Sequence, residues 1–136
     1  MTGVLTCALP ISISKNIIPI ISPLGKGKNN QTFNINGDTA AGAIAKSLKS
    51  RRLFLMTNVK GVLNKEKKLV EEISSLEILE MIKNETITEG MIPKINTCLD
   101  AVNNGVTAVG IIDGREKHSI LFEIFSDKGS GTLIRK

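Results

Sequence analysis

The sequence predicts an α/β fold, a three-layer sandwich on a mainly parallel central sheet, and three observations carry that expectation. Short apolar runs of strand length, residues 17–21, 53–57 and 106–112, are separated by stretches whose apolar side chains recur at three and four, residues 40–48 and 91–102. Strand, helix, strand in that order is the grammar of a parallel sheet with helices on its faces. The third observation is bulk: 136 residues, 41% hydrophobic and 23% charged, suit one domain with a core of ordinary size. There is no internal repeat, low-complexity segment or second domain.

The elements follow in order. Residues 17–21 (Ile-Ile-Pro-Ile-Ile) read as a buried strand, and residues 25–30 as a turn, since this glycine-containing stretch does not open onto a helix N-terminus. In the extended stretch 33–36, Asn34 and Asn36 share one face and deliver Asp38 to a helix start, where Asp38 or Thr39 is expected to cap. Ala40, Ala41, Ile44, Ala45 and Leu48 form the apolar stripe of that helix. Residues 53–57 are a second buried strand, and the following loop, 57–63, lies where parallel sheets bind ligands. Residues 65–68 read as an exposed hairpin tip and residues 75–83 as an amphipathic helix capped by Ser74 or Ser75. A further helix opens at Glu89-Gly90-Met91-Ile92-Pro93-Lys94, with Pro93 suited to its first turn, and stops at Asn104-Gly105. Lys94 is the unexpected residue there: a cation in a first turn opposes the helix dipole, yet with the free amides it makes an anion site. Residues 106–112 are the third strand, followed by Asp113-Gly114-Arg115, a helix from His118 or Ser119 to Phe125, a turn and a last strand at 132–134.

Composition excludes several functions. A net charge of +5 and a pI near 9.4 favour acidic partners, but the basic residues are scattered, and four Phe with no Tyr or Trp give no platform for stacking bases. Nucleic-acid binding is therefore not expected. Cys7 and Cys98 lack metal-site spacing, and Cys98 falls on the apolar side of its helix as a buried reduced thiol. Neither a membrane-spanning run nor a signal-like N-terminus is present, so a soluble cytoplasmic or plastid-stromal setting is expected.

Taken together and in order, Asn34-Ile35-Asn36-Gly37-Asp38-Thr39-Ala40-Ala41-Gly42, Thr57-Asn58-Val59-Lys60-Gly61-Val62-Leu63, Gly90-Met91-Ile92-Pro93-Lys94, and Asp113-Gly114-Arg115 through Gly131-Thr132-Leu133-Ile134 resemble the C-terminal half of the acetylglutamate kinases, of the amino-acid kinase fold. The resemblance covers about residues 16–136. It implies transfer of the γ-phosphoryl group of ATP, carried with Mg²⁺, to the side-chain carboxylate of N-acetyl-L-glutamate. In that reading Lys94 stabilises the phosphoryl group, Asp38 holds Lys94, and Asn34 and Asn36 are on the substrate side. Thr57, Asn58, Gly61, Val62, Leu63, Ile87, Thr88 and Glu89 would contact ATP.

Asn58 stands where the family usually has Asp, and Gly37 where it has Ala. The end of the chain resembles the arginine-sensitive branch, which implies an L-arginine effector at His118, Ser119, Glu123, Gly129 and Gly131 and a hexameric parent. The first twelve residues resemble the translation of a sequencing-library adapter, so residues 1–12 are expected to be a non-native leader and 13–136 a partial kinase domain. The family's glycine-rich loop, second lysine and substrate-binding arginine have no counterpart here, so the chain alone is expected to be inactive. Two other readings stay open: a non-catalytic arginine-binding or nitrogen-signalling module, and a different amino-acid kinase such as glutamate 5-kinase, aspartokinase or uridylate kinase.

Overall fold

A computed structural model describes residues 5–87, 90–126 and 129–136. Helix α1 (Leu5–Ser14) is followed by a hairpin of β1 (Leu24–Lys26) and β2 (Thr32–Asn34). Then come α2 (Gly37–Ser47), β3 (Arg52–Thr57), β4 (Glu72–Ser74), α3 (Ser75–Lys83), α4 (Ile92–Asn103), β5 (Ala108–Asp113), α5 (Ser119–Phe125) and β6 (Thr132–Arg135). The main sheet has the order β3-β5-β6-β4, with β3–β5 and β4–β6 parallel and β5–β6 antiparallel. The mainly parallel sheet is therefore as expected. The antiparallel step arises because α5 returns the chain without crossing the sheet.

Strand β5 is buried at every position, as its continuous apolar run requires of a strand covered on both faces. Val109 and Ile111 face a core with Leu53, Leu55, Ile73, Ile134, Ala45 of α2, Ile78 of α3, and Ile95, Cys98, Leu99 and Val102 of α4. Period two turns Gly110 to the other face, where an added Cβ would lie 2.8 Å from Phe54 and 3.7 Å from Glu123 of α5. Helices thus cover both faces.

The start of α3 follows local chemistry closely: Ser74 accepts from the Glu77 N–H at 3.3 Å, and Glu77 Oε2 accepts from the Ser74 N–H at 2.8 Å, a reciprocal cap. Three expectations are corrected. Residues 17–21 form no strand and are not buried: Ile18 is 89% and Ile20 98% exposed, no described strand pairs with them, and Pro19 has no N–H to give a ladder. Gly25 and Lys26 belong to β1, so the turn begins after them. The cap of α2 is Asn36, whose Oδ1 accepts from the Thr39 N–H at 3.1 Å; Asp38 and Thr39 are already inside the first turn. Residues 5–12 of the expected leader lie in helix α1, which continues to Ser14.

Candidate active site

Helices α2 and α4 run into β3 and β5 through short connections, and β3 pairs with β5 in parallel, so both helix N-termini lie at the carboxyl ends of the strands. Because Asn36 does the capping, Asp38 is free to turn its carboxylate outward from the first turn of α2, where the helix dipole favours it. Lys94 Nζ donates to Asp38 Oδ2 at 2.5 Å, with the lysine side chain 17% and the aspartate 30% exposed. The dipole cost of a first-turn cation on α4, about 0.3–1 kcal/mol, is thereby offset by a carboxylate from the neighbouring helix. The N-cap of α4, Met91, offers no side-chain acceptor, and Pro93 has no N–H, so the remaining first-turn amides keep their capacity for an anion. Cys98 lies one turn behind; burial pushes its thiol up to about 12, so it stays protonated and acts as a small apolar filler.

The loop beyond β3 is tied down from two sides. The Gly114 N–H donates to the Thr57 carbonyl at 2.8 Å, joining the ends of β3 and β5. Thr132 Oγ1, fully buried, accepts from the Val62 N–H at 2.8 Å and donates to the Val70 carbonyl at 2.7 Å. Gly61 needs its lack of a side chain there: φ is +145° and a Cβ would lie 2.5 Å from that hydroxyl. Val62 and Ile87 are core residues, whereas Asn58 and Leu63 are exposed. Thr132 carries a role that a lone threonine opening an apolar strand does not announce. Thr88 and Glu89 lie outside the described residues. Asn34 is exposed at the end of β2, while Asn36 is engaged as the cap.

Among the effector candidates, Ser119, Glu123 and Gly129 come together. Glu123 Oε2 accepts from the Ser130 N–H at 2.8 Å, Ser130 Oγ donates to the Ser119 carbonyl at 3.1 Å, and Gly129, at φ +61°, sits against the Glu123 carboxylate. Two cavities flank this knot, away from Lys94. One of about 290 Å³ is lined by Lys60, Asp113, Lys117, Ser119 and Ser130; the other, about 280 Å³, by Arg52, Glu123, Gly129, Gly131 and Arg135. His118 lies apart, beside Leu121, Phe122 and Phe125. Lys60 was legible only as part of the expected ligand loop 57–63, and no sequence signal singled out Lys117.

Asp113 is buried at the end of β5, its Oδ2 accepting from Arg115 Nη2 at 2.7 Å and its Oδ1 from the Arg115 Nε and N–H, each at 3.0 Å. The side-chain and backbone hydrogen bonds of Arg115 hold its carboxyl down from 3.8 to about 2. A depressed folded-state value stabilises the fold above the unfolded value and stops doing so as pH falls through the folded one. The stability difference between the protein and an Asp113→Asn variant is therefore expected to be level above about pH 4 and to shrink between pH 4 and 2, measured by urea unfolding. A difference that persists at pH 2 would contradict the assignment.

The amino acid kinase family model matches residues 4–113. The acetylglutamate kinase of Pelagibacter ubique is 58% identical over 135 residues, 99% of this chain and 47% of its own length; that of Rhodospirillum rubrum is 54% identical over 88% of the chain and 39% of its length. The chain thus spans less than half the length of these relatives. Among solved structures, the N-acetylglutamate synthase of Neisseria gonorrhoeae complexed with coenzyme A and L-arginine superposes with a TM-score of 0.89 at 29% identity, over 96% of this chain and 30% of that one. The carbamate kinase of Giardia lamblia bound to AMP-PNP, at 24% identity and a TM-score of 0.74 over 98% of this chain and 50% of its own, bears on the fold alone.

Proposed function

Because the chain belongs to the amino acid kinase family, we propose that it carries one half of the site of an ATP-dependent acetylglutamate kinase acting in arginine biosynthesis. The observation that carries the reading is the Lys94–Asp38 pair at two helix N-termini beyond the carboxyl ends of a parallel sheet. Relatives named acetylglutamate kinase at 48–58% identity support the choice of reaction. A side-chain carboxylate oxygen of N-acetyl-L-glutamate attacks the γ-phosphorus of ATP, the bond to the β–γ bridging oxygen breaks, and ADP leaves. Negative charge spreads over the transferring oxygens, and the protein's contribution is position and positive charge. Lys94 and the first-turn amides of α4 supply that charge, and Asp38 keeps the ammonium aimed.

Asn34 serves the amino-acid substrate from the β2 end, and Asn36 contributes by fixing the start of α2. Residues 57–63, with Ile87, Thr88 and Glu89, serve the nucleotide; Val62 and Ile87 form its floor from the core side. In this reading Mg²⁺ would be carried by the phosphates of ATP. The second lysine and glycine-rich loop that the family resemblance implies have no match in these residues, so the 136-residue chain binds nucleotide without turnover.

A second reading, an arginine-binding module, is favoured by the Ser119–Glu123–Ser130 knot and its two cavities, and by the arginine complex of the gonococcal neighbour. Both hold if arginine is a feedback effector of a hexameric parent in the cytoplasm or plastid stroma. Calorimetry of the chain with Mg·ATP and, separately, L-arginine tests this. Nucleotide binding supports the kinase half; arginine binding with no nucleotide binding leaves only the module; neither ligand binding would sink both.

A further inference from the structure

We infer that Lys46, Asp100 and Gly42 are positioning residues that hold Lys94 on Asp38, a role that rests on the reading of Lys94 as the phosphoryl-contacting cation. Helices α2 and α4 touch at three levels: Asp38 with Lys94, Gly42 with Thr97, and Lys46 with Asp100. The contacts advance by four residues on α2 and three on α4, the ridge-and-groove class in which helices cross at about 20° and stay side by side. A Cβ on Gly42 would lie 2.8 Å from Thr97 Cγ2, so the middle level is a contact of closest approach. The Lys46–Asp100 ion pair then closes the end remote from the site, about 6 Å further along α2. With the middle fixed and the far end clamped, the tilt of one helix on the other is set, and with it the separation of the two N-termini.

The charge pattern makes this register selective. On α2 the carboxylate of Asp38 is in the first turn and the cation of Lys46 in the last, both in the sense the helix dipole favours. On α4 the order is reversed, with Lys94 in the first turn and Asp100 in the last, both opposed to the dipole. Helix α4 therefore meets its charge requirements by lying parallel to α2 in this alignment; a slip of one turn strands both ions. Asp100 is further fixed by Asn104, whose Nδ2 donates to Asp100 Oδ1 at 2.9 Å and to its carbonyl at 2.8 Å.

Competitive acetylation of the lysines of the 136-residue chain, read by mass spectrometry without nucleotide, tests the inference, with exposed Lys83 as internal reference. Asp38→Asn sets the upper limit by releasing Lys94. Lys46→Met and Asp100→Asn are each expected to raise Lys94 labelling about two- to fivefold, the scale of a partly exposed ion pair, with Lys83 unchanged. Gly42→Val is expected to do the same by spreading the helices. The reversed pair, Lys46→Asp with Asp100→Lys, is expected to return Lys94 labelling towards the parent value. Unchanged Lys94 labelling in the single variants, a parallel rise at Lys83 or no rescue by the reversed pair would overturn the inference. Protection of parent Lys94 by Mg·ATP reports separately on the kinase reading, so either can fail alone.

Discussion

Replacing Lys94 by Met is expected to lower kcat for acetylglutamate phosphorylation by about 10²–10³-fold with little change in KM, the loss typical of one preorganised charge aimed at a transition state. The measurement needs a complete site, which a chimera supplies when residues 16–136 replace the matching part of the Pelagibacter ubique relative. The split between kcat and KM follows from where the charge acts. Phosphoryl oxygens gain their need for a cation as the bond to ADP breaks, whereas in the proposed site substrate binding draws on the loop 57–63 and the Asn34 side. Lys94→Arg should not restore the rate, because a guanidinium forks where an ammonium points, and Asp38 accepts Lys94 through one oxygen. Asp38→Asn should cost less, since the ammonium survives but is no longer aimed. Stability should change by no more than about 1 kcal/mol in the Lys94 variant, because relief of the dipole conflict offsets the lost ion pair. A chimera that keeps its kcat without Lys94 would remove the mechanism proposed here.

What the sequence made legible was what local chemistry decides. The serine-then-glutamate spacing of Ser74 and Glu77 places the start of α3, and the three-and-four spacing of Met91 to Val102 places α4 with its buried face. The mainly parallel sheet followed from strands alternating with helices, although residues 17–21, the first strand of that reading, turned out not to be one, and which strands pair was not legible. From spacing alone the site was half legible: Lys94 drew notice because it opposes its helix dipole, but its partner sits 56 residues away and a first-turn Asp reads equally well as a cap, so only the family resemblance paired Lys94 with Asp38. Asn36 won the cap because its side chain reaches the Thr39 N–H from outside the helix. Strand β4 has three residues and one buried side chain, Ile73, too short for any period to show. Residues 17–21 failed in the opposite way: their β-branched pattern is strong, but a pattern names a face to be covered and cannot supply the neighbour that covers it.

Gly131→Ala is expected to destabilise the fold by about 2–3 kcal/mol, the upper part of the overpacking range, and to lower the thermal midpoint by about 5–10 °C. The reason is where β6 begins. A Cβ on Gly131 would fall on the carbonyl oxygen of Ile111 and within 3.0 Å of its carbon, and Ile112 Cα would be 3.1 Å away. These are backbone atoms in the fully buried β5, which cannot step aside as a side-chain tip can. Relief requires β6 to lift from β5, and that would disturb Thr132, whose buried hydroxyl ties Val62 to Val70 and so fixes the loop 57–63. Gly129 is a different case within the same turn. Its Cβ would meet the end of the Glu123 carboxylate at 2.9 Å, a group that can rotate, and its φ of +61° costs an alanine roughly 1 kcal/mol. Gly129→Ala should therefore fold and, if Glu123 takes part in arginine binding, weaken that binding by displacing the carboxylate. Thermal melts of the two variants with and without L-arginine separate the roles. Gly131→Ala melting like the parent would show that β6 has room that this geometry denies it. Gly129→Ala binding arginine as well as the parent would take Glu123 out of the effector site.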